Sequence, residues 1–295
     1  MNLYEAVYQR HSVRKYKMEA IDPERLSKIG AFYEQIEPLF PGIETEIGIK
    51  ENVAGKHICR GFFGVTAPYY LTVYSEKRDR AEMNAGYLCE QISLYMLTLG
   101  IGSCYLGASI PAGTPKVRSD KALVISMAFG IPAGRLTRRS EDAKRLPVKE
   151  LCVYKDPPTR WMTQVIEAAR LAPSSMNRQP WRFVAAQNRI HIFSKKDGMD
   201  KPKKWDEFNF GVMFAHIAIA SEELWLDVDL IKLENISQKN FRSNQYVLSA
   251  IVREQEQERE QKTEQKQEQK PEQKQAQDLK EHPAQDDESG DQEKV

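Results

Sequence analysis

Two stretches of this chain are apolar on every side of a helix. "AEMNAGYLCEQISLYMLTLG" (81–100) and "FNFGVMFAHIAIASEELWL" (208–226) each run for about five turns. A surface helix keeps a polar face, and these keep almost none, so both must lie inside the molecule. The first stops at Gly100, a residue suited to a helix end. Two buried helices of similar length need other elements wrapped around them. Small residues between positions 211 and 221 allow the pair to approach closely.

The surrounding elements come in a repeated order. Leu3, Ala6 and Val7 recur at helical spacing up to about Gln9, and Asp22 followed by Pro23 opens a second helix in "DPERLSKIGAFYEQIEPL". "APYYLTVYSE" (67–76) reads as a strand, and "KALVISMAFGIP" (121–132) is too apolar for an exposed edge. Further on, "RWMTQVIEAARLA" (160–172) is helical. "PWRFVAAQNRIHIFSK" (180–195) is a hairpin with Asn188 beside Arg189 at its turn, and "QYVLSAIVRE" (245–254) is a strand. Helix, strand, long buried helix, strand thus occurs twice, as in an internal duplication, with the long helices side by side on a pseudo-twofold axis. Many α+β domains show a similar order, so the pattern alone leaves both readings open.

From residue 253 onward the composition changes. The segment has no aromatic and almost no aliphatic residue, with 8 Lys and Arg against 14 Asp and Glu. It cannot offset its ordering entropy by burial and is expected to be disordered. The whole chain is at +1, so the remaining body is about +7, a balance that would suit a phosphorylated ligand and equally suits no particular partner. No long basic patch with interleaved aromatics points to nucleic acid. Cys59, Cys89, Cys104 and Cys152 have no metal-ligand spacing and read as free buried thiols in a reducing compartment. The N-terminus lacks an apolar signal core, and no run reaches the roughly 18 apolar residues of a membrane span. A soluble, cytoplasmic protein without a metal site is the expectation.

Four short pieces bear chemistry. In "RHSVRKY", an extended backbone would put Arg10, Ser12 and Arg14 on one side, two guanidinium forks and a hydroxyl for a phosphate. A solvated basic turn fits the same residues. "GIGSCYLG" (100–107) ends the buried helix, and its glycines let backbone approach a flat group, although capping alone explains them equally. "PSSMNRQPW" (173–181) brings Ser174, Ser175, Asn177 and Gln179 into an enclosed loop that must find partners, whether a ligand or its own backbone. Lys144 and Arg145, in "AKRLP", could close a phosphate site with Arg10 and Arg14, or form a solvated charge run.

Taken together, "RHSVRKY", "APSSMNRQPW", "LGIGSCYLG" and "AKRLPVKEL" resemble the nitroreductase family of FMN-dependent oxidoreductases over roughly residues 3–252. Ordinary members carry the first two pieces close together, whereas here more than 150 residues separate Tyr16 from Ala172. The arrangement is similar to a fused subgroup from thermophilic and anaerobic bacteria in which one chain stands for two ordinary subunits. The resemblance implies an α+β fold of two pseudo-symmetric halves, each a small, mostly antiparallel sheet flanked by helices around the long central pair. Residues 1–155 and 156–252 would be the halves and 253–295 the tail.

It further implies one surviving FMN site built across the halves, in a monomer that mimics a dimer. Arg10, Ser12 and Arg14 would hold the phosphate and ribityl chain, with His11 at the flavin edge. Arg145 and Lys144 would add to the clamp, although the family places its lysine where this chain has Ala143. Ser174, Ser175 and Asn177 would reach the flavin from the far half, and Leu106, Gly107 and Ala108 would present backbone N–H groups near N5. NAD(P)H would deliver hydride, and a nitroaromatic, quinone or other flat small molecule would accept it. No side chain need act as an acid or base. A flavin-binding relative without turnover, and a scaffold that recruits a partner through its tail, are the alternatives.

Overall fold

The chain opens with α1 (Leu3–Gln9), closed by a reciprocal cap: Asn2 Oδ1 accepts from the Glu5 N–H at 2.8 Å, and Glu5 accepts from the Asn2 N–H at 3.0 Å. Helix α2 (Pro23–Tyr33) starts as its sequence predicts, with the Asp22 carboxylate on the Glu24 N–H and Pro23 in the first turn. There follow β1 (Thr45–Glu51), β2 (Cys59–Gly61), β3 (Tyr69–Ser75), the long helix α3 (Ala81–Thr98), β4 (Gly102–Tyr105), β5 (Ser109–Pro111), β6 (Val117–Arg118) and β7 (Lys121–Gly130). A link bearing α4 (Val148–Leu151) and β8 (Cys152–Tyr154) leads to α5 (Arg160–Leu171), β9 (Trp181–Ala186), β10 (Arg189–Lys195), the second long helix α6 (Asp206–Glu223), β11 (Val228–Ile231), α7 (Glu234–Ser237) and β12 (Asn244–Val252). This computed structural model describes residues 1–56, 59–61, 64–196, 205–239 and 241–253. The expected disorder of the tail lies outside the described residues except at Arg253.

Residues 1–252 form one unit containing two larger sheets of the same design. The first runs β1-β3-β7-β4, with β6 also on β7, and all its pairs are antiparallel. The second runs β9-β10-β12-β11, again antiparallel, and each strand takes the place of its counterpart in the first. Even the irregularity is shared: β3 and β10 each slip register against their central neighbour, at Val73/Tyr74 and at Ile192/Phe193. The second sheet has one addition, β8, which pairs in parallel with β9. The link that follows the first half therefore ends as an edge strand of the second.

Helices α3 and α6 pack together as the sequence requires, and they match position by position. Gly86 and Gly211 are each the sixth residue of their helix. A Cβ on Gly86 would overlap the Phe208 carbonyl oxygen, and one on Gly211 would overlap that of Met83, so backbone meets backbone around the pseudo-axis. Both helices begin after a left-handed residue, Arg80 or Trp205. Both end in a Schellman closure: Ile101 N–H returns to Met96 O at 2.9 Å, and Leu226 N–H to Ser221 O at 2.9 Å. The left-handed position is Gly100 in one and Trp225 in the other, and Trp225 is 92% exposed.

The glycines of "GIGSCYLG" have a packing reason. Gly102 lies in β4, and a Cβ there would strike Val13; Gly130 leaves room in the same way for Pro68 and Tyr16. These gaps let "RHSVRKY" run across the sheet end, stitched by Val13 N–H to Ser103 O and Lys17 N–H to Ile131 O, both 2.9 Å. What reads as one glycine loop is thus a short strand and a tight turn. All four cysteines are free and buried. No helix among the described residues is long and apolar enough to cross a membrane.

Candidate functional site

Four arginines from distant parts of the sequence meet where α1 ends. Arg10 caps that helix with extended backbone and turns inward, 4% exposed, its Nε 3.7 Å from the Glu90 carboxylate of α3. Its Nη2 donates weakly to Ser12 Oγ at 3.4 Å. Arg138 donates from Nε to the Arg10 carbonyl at 2.7 Å, and its own N–H reaches Gln9 O at 2.9 Å. Arg145 donates from Nη1 to Asn177 Oδ1 at 2.7 Å and from Nε to Leu171 O at 3.3 Å. Arg170 is neutralised by a two-point contact with Glu167.

The cluster is short of negative charge. Burial, followed by the charges of Arg10 and Arg138, pushes the Arg145 guanidinium down to about 10. Burial and the charges of Arg10 and Arg170 lower Arg138 as well. The Nη1 and Nη2 atoms of Arg138 are buried without a hydrogen-bond partner. A buried cationic fork with no acceptor is unfavourable by itself, and it fits a centre made to receive an anion. A cavity of about 720 Å³ opens along this segment, lined in part by Tyr8, Gln9, Arg135, Arg138 and Asp142. Among the described residues no group of His, Cys, Asp and Glu could hold a metal ion.

The serine-amide loop answers its hydrogen-bond question largely from within the protein. Asn177 accepts from Arg145 and donates from Nδ2 to Lys144 O at 2.7 Å. Gln179 accepts the Leu146 N–H at 2.8 Å and donates to Asn177 O. Ser174 Oγ takes the Gln179 N–H at 3.0 Å, and the Ser175 N–H goes to Asn209 Oδ1 of α6 at 2.8 Å. The loop is a bracket around residues 144–146. Met176, Asn177 and Gln179 all adopt left-handed φ to form it, a strain tolerated where the surrounding contacts dictate the geometry.

Other sequence-selected residues sit as follows. Arg14 is exposed while Arg10 is buried, so the two forks do not share one open face. Both nevertheless act electrostatically on the Cys104 thiol, whose value burial raises. The His11 ring lies 2.9 Å from the Arg135 carbonyl, and burial lowers its basicity. Lys144 is exposed and is engaged through its carbonyl. The Leu106 N–H is already given to Ser126 O at 2.8 Å, which corrects the expectation that it is free for a ligand. Gly107 faces the Trp205 ring, where a Cβ would sit 3.6 Å from it, and Ala108 is exposed in the same turn.

Sequence reasoning passed over Glu90, His216, Tyr105, Asn209 and Arg138. The signal existed for the first two. Each is an ionisable residue in the middle of a helix that is apolar all round, and such a residue requires a partner. His216 lies 2.9 Å from Glu90, and Tyr105 donates to Glu90 at 2.6 Å.

Twin sheets and a paired helical core thus carry a cationic centre where α1 ends. The family described as "Putative TM nitroreductase" matches residues 2–221, and "Nitroreductase family" matches residues 155–290. The chain belongs to the nitroreductase family of oxidoreductases. Among solved structures, one titled a "putative nitroreductase" of Thermotoga maritima is 21% identical, with a TM-score of 0.57 over 85% of this chain and 93% of that one. A nitroreductase family protein of Clostridium difficile 630 is 15% identical, with a TM-score of 0.41 over 53% of this chain and 100% of its own. An FMN-dependent nitroreductase of Clostridium difficile R20291 is 21% identical, with a TM-score of 0.37 over 50% and 95%. No curated protein matches the sequence.

Proposed function

We propose that this chain is an FMN-dependent oxidoreductase using NAD(P)H, with one flavin site shared by halves 1–155 and 156–252. The observation behind this reading is the arginine cluster: Arg10 and Arg138 from one half, Arg145 from its far end, held by Asn177 from the other. Two buried Arg138 nitrogens without acceptors suit a doubly charged phosphate. Bound FMN would supply the hydride chemistry between NAD(P)H and a small flat acceptor such as a nitroaromatic or quinone. Arg10, Arg138 and Arg145 hold the phosphate end in this reading, with Ser12 and His11 beside them and the exposed Arg14 and Lys144 at the rim. Ser174, Ser175 and Asn177 close the site from the far half. Of the glycine turn, Gly107 and Ala108 retain the role of backbone donors, while Leu106 contributes packing. The protein acts as a monomer in a reducing cytoplasm, without nucleic acid or membrane partners.

The test is direct. Purified protein should be yellow, or should quench the fluorescence of added FMN at one equivalent per chain, and should then oxidise NADH or NADPH with a nitroaromatic. Protein that takes up no FMN refutes the reading. Uptake without NAD(P)H oxidation would instead identify a flavin-binding protein without turnover.

A further inference from the structure

We propose that the buried Glu90–His216 pair is the positioning centre that fixes Arg10 for an anionic phosphate, an inference that rests on the flavin-phosphate reading above. Both side chains are fully buried where α3 meets α6. Isolated ionisable groups do not stay charged in such a place, and burying an opposite pair commonly gains little stability. The pair has another use. Glu90 touches each part of the site: Oε1 faces Arg10 Nε at 3.7 Å and His216 Nε2 at 2.9 Å, and Oε2 accepts from Tyr105, the residue before the glycine turn. His216 Nδ1 lies 2.8 Å from the Ala168 carbonyl of α5, the helix that ends at the serine-amide loop.

The hydrogen-bond pattern orients the pair. Nδ1 faces a carbonyl, which can only accept, so Nδ1 donates. Nε2 faces a carboxylate that also receives the Tyr105 hydroxyl and the Arg10 charge. Burial alone would raise Glu90, but Arg10, His216 and Tyr105 outweigh it and hold it below the usual carboxylate range. With Glu90 ionised, one carboxylate faces His216 Nε2 and Arg10 Nε together. Glu90 thereby supplies a buried negative charge that keeps Arg10 from being driven outward by Arg138 and Arg145.

The substitution E90Q isolates this role. Glutamine keeps the shape, still accepts from Tyr105 and still pairs with His216, while the carboxylate charge that faces Arg10 is lost. The measurement compares FMN with riboflavin, which lacks the phosphate. E90Q should weaken FMN about tenfold and leave riboflavin within about twofold; in an Arg10→Ala background it should have no further effect on FMN. If E90Q folds poorly, H216Q serves, and it too should weaken FMN selectively. Equal FMN affinity in wild type and the variants overturns the inference alone, as does an equal loss for FMN and riboflavin. Wild type that binds neither FMN nor inorganic phosphate overturns the functional reading as well.

Discussion

At the scale of single residues, the site depends on side chains that hold other side chains. Asn177 fixes Arg145 on one side and the Lys144 carbonyl on the other. Asn177→Ala removes a hydrogen bond to a charged group, about 1.5–3 kcal/mol. It should lower FMN affinity by at least about tenfold in a fluorescence titration. Glu90 gives a pH signature. Its carboxyl is held low in the folded state, so it contributes stability above the unfolded value of about 4.3 and loses it as pH falls further. Acid unfolding followed by circular dichroism should therefore be shallower below about pH 4.3 in E90Q than in wild type. Trp225 offers the opposite case. It occupies a left-handed Schellman position while 92% exposed, so Trp225→Gly removes strain and little burial. It should raise stability by about 1 kcal/mol, a rise in Tm of about 2–4 °C.

The motif residues were legible at this scale, but their roles were not. Arg145 bonds to Asn177, and Arg10 acts on Arg145 through its charge. The sequence could not show that Arg10 turns inward, because that depends on Glu90, far away in the chain and visible only as an acid on an apolar helix.

At the scale of elements, the two long helices are the most constrained part of the fold. Gly86→Ala or Gly211→Ala would force a methyl group against a carbonyl of the partner helix, and neither backbone can yield cheaply. Each should destabilise by about 1–3 kcal/mol, with a lower midpoint in urea, while alanine at an exposed glycine such as Gly134 should not. These helices, both hairpin strands, β3, β7 and β12 were readable because burial on all sides or alternation marks them. Strand β1 was not, since "TEIGIKE" is charged and half exposed at a sheet edge. Strand β4 hid inside a glycine pattern. Strand β8, three residues long, exists because the second sheet offers it an edge, which no local signal reports.

At the scale of the whole molecule, the repeated order seen in the sequence becomes two sheets with one strand order. This order is what the proposed duplication would leave, while β8, just before the proposed boundary at residue 155, pairs with the second sheet. Sedimentation should give a single species at the 33.9 kDa chain mass, and twice that mass would refute the monomer. Where such halves are separate subunits, dilution dissolves their shared site. Here the peptide link through β8 keeps both contributors to the arginine cluster tethered at fixed mutual concentration. At a fixed concentration of free FMN, cofactor occupancy and specific activity should then not depend on how dilute the protein is, and a lesion in either half cannot be rescued by mixing in an intact copy of the other.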